Sequence, residues 1–348
     1  MENATKIGIS VEKSSKSLDR RVSVAPMMDW TDRHCRFFLR LFAPGTLLYT
    51  EMITAAAILR GNRRRLLAFD PAEHPVALQV GGSEPDQLAL AARAGADAGY
   101  DEINLNVGCP SERVQSGAFG ACLMAEPELV ARCVDAMRAA VSVPVTVKCR
   151  IGIDSHDEFS YLRNFVDSVA AAGCRVFIVH ARKAILKGLS PKQNREIPPL
   201  RHDYVERLKC ERPDLTIVLN GGLRLPDDVV RALATVDGVM LGREAYHNPY
   251  VLSQLQARLG HDASWCAPTP AQVMERLIPY VAERCAAGDP LASITRHILG
   301  LFAGRAGARA WRRYFTDVAR QPGAGAQLLV QARDRLLAEP TCAPTGTR

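Results

Sequence analysis

At 348 residues, 47% apolar and 23% charged, the chain has ample material for a buried core and allows one large domain or a large domain with a small one. Its apolar runs fall short of the ~20 residues a membrane helix needs. Ten scattered cysteines with no Cys-x-x-Cys pair argue against a disulfide framework and a thiolate zinc site, as expected of a reducing cytoplasm. The net charge of +7 is uneven: 269–348 hold eleven Arg, no Lys and six acids, a balance of +5. Such an Arg face suits a polyanion, because guanidinium forks match phosphate oxygens. A solvated helix surface in a chain with 36 Arg and 8 Lys explains the charge equally well.

Residues 1–20 are polar, with Lys6, Lys13 and Lys16 and no apolar segment, so they lack the form of a secretory signal and read as a disordered leader. Eight short runs rich in Val, Ile and Leu follow, at 22–28, 47–52, 76–80, 103–107, 145–149, 176–180, 217–220 and 239–241. They lack alternation, which is the pattern of strands buried on both faces. Helical patterns at 84–94, 126–140, 159–172 and 226–233 lie between them, several opened by Ser, Asp or Pro and closed by Gly. Eight strand–helix units over about 250 residues predict an α/β fold, a (β/α)₈ TIM barrel spanning 21–259. A doubly wound sheet fits less well, since no Gly-x-Gly-x-x-Gly fingerprint is present.

The segment 260–270 breaks the pattern with turn formers and two prolines and reads as a linker. Helical stretches at 271–287, 291–303, 308–320 and 326–338 predict a small C-terminal helical bundle over 271–338. Within it Arg305, Arg309, Arg312, Arg313 and Arg320 recur at steps that a helix gathers on one side. Residues 339–348, rich in Pro, Thr and Gly, read as a disordered tail.

In a barrel the chemistry lies where the strands end. Those ends carry Pro26, Met27 and Met28, then Gln79, then Asn106 and Cys109, then Lys148 and Arg150, then His180 and Arg182. The last two runs lead into Asn220, Gly221 and Gly222, and into Gly242 and Arg243. Two glycine turns after late strands are a phosphate grip, because the backbone and the following helix N-terminus can approach an anion. Lys148 in an apolar strand must meet an anion or a structural acid. His180 reads as a core histidine or as a ligand contact. In Asn104-Leu-Asn-Val-Gly-Cys-Pro110 a thiol follows an amide by three residues where a strand becomes a loop, so Cys109 is placed to act as an acid. A lone cytosolic Cys is more often a small buried hydrophobe. No His, Asp and Glu set has metal spacing, so no metal is expected. A phosphate grip, a cation and a separate acid suggest a phosphorylated cofactor facing a substrate, with flavin mononucleotide and a sugar phosphate equally possible on these grounds.

From about Val22 to Phe315 the chain resembles the tRNA-dihydrouridine synthases. The shared segments are Ala25-Pro-Met-Met-Asp-Trp-Thr-Asp32, Tyr49-Thr-Glu-Met52, Gln79-Val-Gly-Gly82, Asn104-Leu-Asn-Val-Gly-Cys-Pro110, Lys148-Cys-Arg-Ile-Gly152, His180-Ala-Arg182, Asn220-Gly-Gly222 and Gly242-Arg243. Three stretches resemble the A subfamily: Asp29-Trp-Thr-Asp-Arg-His34, Gly188-Leu-Ser-Pro-Lys-Gln-Asn-Arg-Glu-Ile-Pro198 and Gly307-Ala-Arg-Ala-Trp-Arg-Arg313.

The resemblance implies an FMN enzyme that reduces uridine C5=C6 in the tRNA D-loop with NADPH, at positions 20 and 20a by subfamily. It places Pro26, Met27, Met28, Gln79, Lys148, His180, Asn220, Gly221, Gly222, Gly242 and Arg243 on FMN and makes Cys109 the proton donor. It places Asn106, Arg182, Lys192, Arg195, Arg309 and Arg312 on tRNA. A cytoplasmic monomer that bears neither metal nor membrane anchor is the corresponding expectation. The alternatives are a flavin-barrel dehydrogenase acting on a free pyrimidine, and a tRNA-binding folding chaperone with little catalysis. The first explains the barrel residues but gives the Arg-rich bundle no purpose.

Overall fold

A computed structural model describes residues 18–260 and 264–338. The tail, and all but the last three residues of the leader, lie outside the described residues. Nine strands form one parallel sheet: β1 Val22–Val24, β2 Leu47–Tyr49, β3 Ile53–Thr54, β4 Val76–Gly81, β5 Glu102–Val107, β6 Val145–Arg150, β7 Val176–His180, β8 Thr216–Asn220 and β9 Gly238–Leu241. β1 pairs with both β2 and β9, and β2 pairs with β4, so eight strands close a barrel. The two-residue β3 is an annex at the far end of β4. Helices Pro85–Ala98, Pro127–Ala140, Phe159–Ala171 and Pro226–Ala232 occupy the intervals that the sequence pattern marks. Three of these open with Pro, whose missing N–H costs nothing in a first turn. The fold is the (β/α)₈ barrel with a helical C-terminal region.

The strands are buried on both faces, but the inner face is not uniformly apolar. Val76, Leu78, Val80, Ile103, Leu105, Val107, Val145, Val147 and Cys149 point outward into the main core beneath the helices. The inward set divides around the barrel. Ala25, Leu47, Tyr49, Ala77, Ile178, Val218 and Met240 form a small apolar cluster. Against it, β4 to β6 turn Gln79, Glu102, Asn104, Asn106 and Thr146 inward, all buried. The period of two therefore sorts apolar from polar residues within these short runs.

The C-terminal region contains helices Pro270–Ala286, Leu291–Thr295, Ala308–Val318 and Gln327–Ala338. Thr269 and Gln272 close a capping box at the first of them. This region packs on the barrel without a break in the core: Tyr280 stacks on Phe37 with ring centres 3.8 Å apart. Two expectations need correction. The helix expected over 291–303 stops at Thr295 and gives way to a 3₁₀ turn at Ile298–Gly300. Gly300 there packs so closely on the Tyr246 and His247 carbonyls that a Cβ would lie 2.7 Å from His247 O. The five arginines also do not share one helix. Arg305 precedes Gly307 and lies over the Tyr250 ring, and Arg320 follows the end of the helix, which leaves Arg309, Arg312 and Arg313 on it. Among the described residues, no helix is long and apolar enough to cross a membrane.

Candidate active site

The end of β5 sets the position of the thiol. Asn106 Oδ1 accepts the backbone N–H groups of Gly108 (3.1 Å) and Cys109 (2.9 Å), which folds the chain back over its own strand. The Cys109 thiol, half-buried, donates to Ser111 Oγ at 3.5 Å. Gly120 lies against this loop at φ 77°, where a Cβ would come within 2.6 Å of Cys109 O. Arg150, buried at the end of β6, donates to Gly108 O at 2.8 Å, to Lys183 O at 2.9 Å and to Asn194 O at 3.1 Å. It thus ties the thiol loop to the loop that carries Lys192 and Arg195.

Arg150 stands at a strand end in the sequence reading but receives no role there. Its signal was its place two residues beyond Lys148, on the same inward face.

Cations converge here with few acids. Lys148 Nζ donates to Asn220 Oδ1 at 3.0 Å, and Asn220 Nδ2 donates to Met240 O at 2.7 Å. No carboxylate pairs with Lys148 or Arg150 among the described residues, so the reading of Lys148 as a structural ion pair is not what the barrel contains. Burial, with Arg150 adding to it, brings the Lys148 ammonium down to about 8. Burial also brings Arg150 down to about 10, with Arg195 and Arg182 pushing the same way. His180 is held well below the usual histidine range by burial and by Arg150, Lys148, Arg182 and Arg195, so its ring is neutral. Arg182 donates to the Glu196 and Pro198 carbonyls, and Arg243 pairs with the Glu196 carboxylate at 2.6 Å. Glu196 is the acid facing this group, its carboxyl lowered chiefly by the Arg243 hydrogen bond.

The two glycine turns complete the mouth. Gly221 (φ 113°) and Gly222 (φ 76°) are left-handed, and Cβ atoms there would meet His180 at 2.8 Å and Leu200 at 2.5 Å. Gly242 caps the short helix Arg243–His247, and a Cβ there would meet only Met27 Sδ and Ala25 Cβ, 3.9 and 4.0 Å away. Pro26 and Met27 are part-buried above β1, with Met27 N bonded to Thr31 Oγ1, whereas Met28 is exposed. An excess of cations over acids among the described residues, a neutral imidazole, open space at Gly242 and backbone freed by glycine suit an anionic, flat, phosphate-bearing group such as FMN.

The expected RNA contacts fall into two places. Lys192 and Arg195 lie on the 183–200 loop, which Asn194 braces by accepting Ile185 N–H at 2.8 Å and donating to Ile185 O and Leu189 O. Arg309 and Arg312 lie on Ala308–Val318 instead, whose Trp311 and Phe315 are buried, so that both arginines face out. Neither has an acid partner among the described residues, whereas Arg313 has Asp317 at 3.6 Å.

Comparison with known proteins agrees with this arrangement. A family model described as Dihydrouridine synthase (Dus) matches residues 23–337. A protein of Xanthomonas axonopodis pv. citri is 54% identical over 330 residues, covering 94% of this chain and 96% of its own. One of Synechocystis sp. is 57% identical over 311 residues (89% and 93%), and one of Pseudomonas putida 58% over 295 (84% and 87%). All three are named tRNA-dihydrouridine(20/20a) synthase. The barrel, its cationic mouth and these likenesses lead to one conclusion: the chain belongs to the dihydrouridine synthase family.

Proposed function

We propose that this protein reduces the C5=C6 bond of uridine to dihydrouridine in the tRNA D-loop, at positions 20 and 20a. When bound, FMN supplies the hydride, drawn from NADPH, that adds at C6. Pro26, Met27, Met28, Gln79, Lys148, His180, Asn220, Gly221, Gly222, Gly242 and Arg243 hold the cofactor. Hydride addition at C6 leaves electron density on C5 and the C4 oxygen, and Cys109 delivers the proton to C5. Solvent then restores the thiol. Asn106, Arg182, Lys192 and Arg195 hold the uridine and its phosphates, and Arg309 and Arg312 hold RNA outside the mouth. A folded D-loop admits its uracil to a barrel only by extruding it, so binding includes base flipping. The protein works as a cytoplasmic monomer.

The observation that carries this reading is the mouth itself. Lys148, Arg150, Arg182, Arg195 and Arg243 surround neutral His180 and the Cys109 loop, with Glu196 as the facing acid. Arg309 and Arg312, exposed and without an acid partner among the described residues, favour tRNA over a free pyrimidine. The test is stopped-flow absorbance. The purified protein should be yellow, bleach with NADPH, and be reoxidised without oxygen by tRNA lacking dihydrouridine but not by free uracil or uridine. Reoxidation by the free base alone would favour the small-molecule dehydrogenase.

A further inference from the structure

A single-file chain of side-chain hydrogen bonds runs through the polar half of the barrel, and every donor in it points the same way. Cys109 N–H donates to Asn106 Oδ1 at 2.9 Å. Asn106 Nδ2 donates to Gln79 Oε1 at 2.8 Å, and Gln79 Nε2 to Asn104 Oδ1 at 2.8 Å. Asn104 Nδ2 donates to Thr146 Oγ1 at 2.8 Å, and Thr146 Oγ1 donates to Glu102 Oε1 at 2.6 Å. The chain ends on a carboxylate, which can only accept. Glu102 is fully buried, receives Tyr49 Oη at 2.7 Å and pairs with Arg20.

An amide has one accepting and one donating end. At Asn106 the Gly108 and Cys109 N–H groups, which can only donate, hold the oxygen, whereas at Asn104 and Gln79 no backbone group among the described residues decides which way the amide faces. Here the terminal carboxylate decides. Glu102 obliges the Thr146 hydroxyl to donate, so its lone pair accepts Asn104. The Asn104 carbonyl must then face Gln79, and the Gln79 carbonyl must face Asn106. The final consequence lies at the site. Asn106 turns its oxygen to the Cys109 loop and keeps its second Nδ2 hydrogen without a protein acceptor among the described residues.

We propose that Glu102 and Thr146 are positioning residues that act through Asn104 to keep the Gln79 carbonyl on Asn106 Nδ2, so that Asn106, whose oxygen the Cys109 loop already holds, presents its remaining hydrogen as a fixed donor. That donor takes a carbonyl oxygen on the edge of the bound pyrimidine, and the same amide holds the Cys109 backbone. This rests on the proposed reduction of tRNA uridine. Neither Thr146 nor Glu102 reaches the mouth, since both lie below Asn106 on inward-facing positions of β5 and β6.

Thr146→Val keeps the shape and removes the hydroxyl, whereas Thr146→Ser keeps the hydroxyl. The holoenzymes are compared for flavin content, the rate of reduction by NADPH, and the rate of reoxidation by tRNA. In T146V the Asn104 amide loses its acceptor and the orientation of Asn104 and Gln79 is released, so that the Gln79 amide nitrogen can turn against Asn106 Nδ2 and displace it. Reoxidation by tRNA should slow by at least about fivefold relative to any change in flavin content or NADPH reduction. T146S should restore the wild-type rate. Equal loss in both half-reactions, each measured per bound flavin, would assign Thr146 to the barrel core alone and overturn the proposal. So would a wild-type tRNA step in T146V, or a T146S as slow as T146V. The wild-type control separates the two ideas: a wild-type holoenzyme that tRNA cannot reoxidise removes the proposed activity and the positioning role with it.

Discussion

The roles proposed for Cys109 and Lys148 can be separated experimentally because they belong to different halves of the reaction. Cys109→Ala should retain flavin and accept electrons from NADPH at the wild-type rate, yet reduce tRNA roughly 10²–10⁴-fold more slowly, the usual contribution of a positioned acid. A C109A enzyme that forms dihydrouridine at full rate would remove the thiol from the chemistry. Lys148 makes a prediction of opposite signs for stability and binding. Its ammonium is lowered to about 8 by burial, so between about pH 8 and 10.5 the unfolded chain binds the proton and the folded chain does not. The flavin-free protein therefore gains stability from Lys148 deprotonation as pH rises through that window. Below it, the buried charge costs stability. Lys148→Met should raise flavin-free stability at pH 7, flatten its rise above pH 8 and weaken flavin retention. Urea titrations at several pH values, with flavin content alongside, test all three.

At the scale of elements, strand positions were legible because buried parallel strands are short, continuous apolar runs, and each of the eight runs overlaps a barrel strand. The polar half of the interior was less legible. Gln79 and Asn106 stood out at strand ends, whereas Glu102 and Thr146 lie near strand starts, where side chains are ordinarily packing. The break after Thr295 was hidden because it depends on contact with Tyr246 and His247, far away in sequence. The glycine turn after β8 was readable, and its geometry yields a test. Gly221→Ala would force a Cβ against His180 at φ 113°. It should cost roughly 1–3 kcal/mol of stability and reduce flavin content, as thermal unfolding and absorbance would reveal. The helix Ala308–Val318 yields another. Arg309→Ala with Arg312→Ala should weaken tRNA binding and lower the slope of log K against log salt by roughly 0.7–0.9 per lost contact. An unchanged slope in a titration at several salt concentrations would return these arginines to a solvated face. Flavin content belongs to the barrel and should not move.

For the whole molecule, the helical region is held to the barrel by a short polar junction. Asp32 caps the helix Arg33–Arg40 with Oδ1, while Oδ2 accepts Arg296 at 2.7 Å and His297 at 2.9 Å. Burial alone would raise the Asp32 carboxyl, but His297, the Cys35 N–H and Arg296 outweigh it and hold it far below the usual range. A lowered carboxyl contributes stability above its ordinary pKa and loses it as pH falls. Asp32→Ala should therefore cost roughly 1–3 kcal/mol at pH 7, and the gap from wild type should narrow below about pH 4. Urea denaturation at the two pH values measures it.

The central claim is that this barrel converts tRNA uridines 20 and 20a to dihydrouridine with Cys109 as the acid. Mass mapping of dihydrouridine in tRNA tests it most directly, using cells that lack the gene and carry either the wild-type chain or C109A. Loss of dihydrouridine at 20 and 20a on deletion, restored by the wild-type chain and not by C109A, is the predicted result. Unchanged dihydrouridine at both positions in the deletion strain would contradict it.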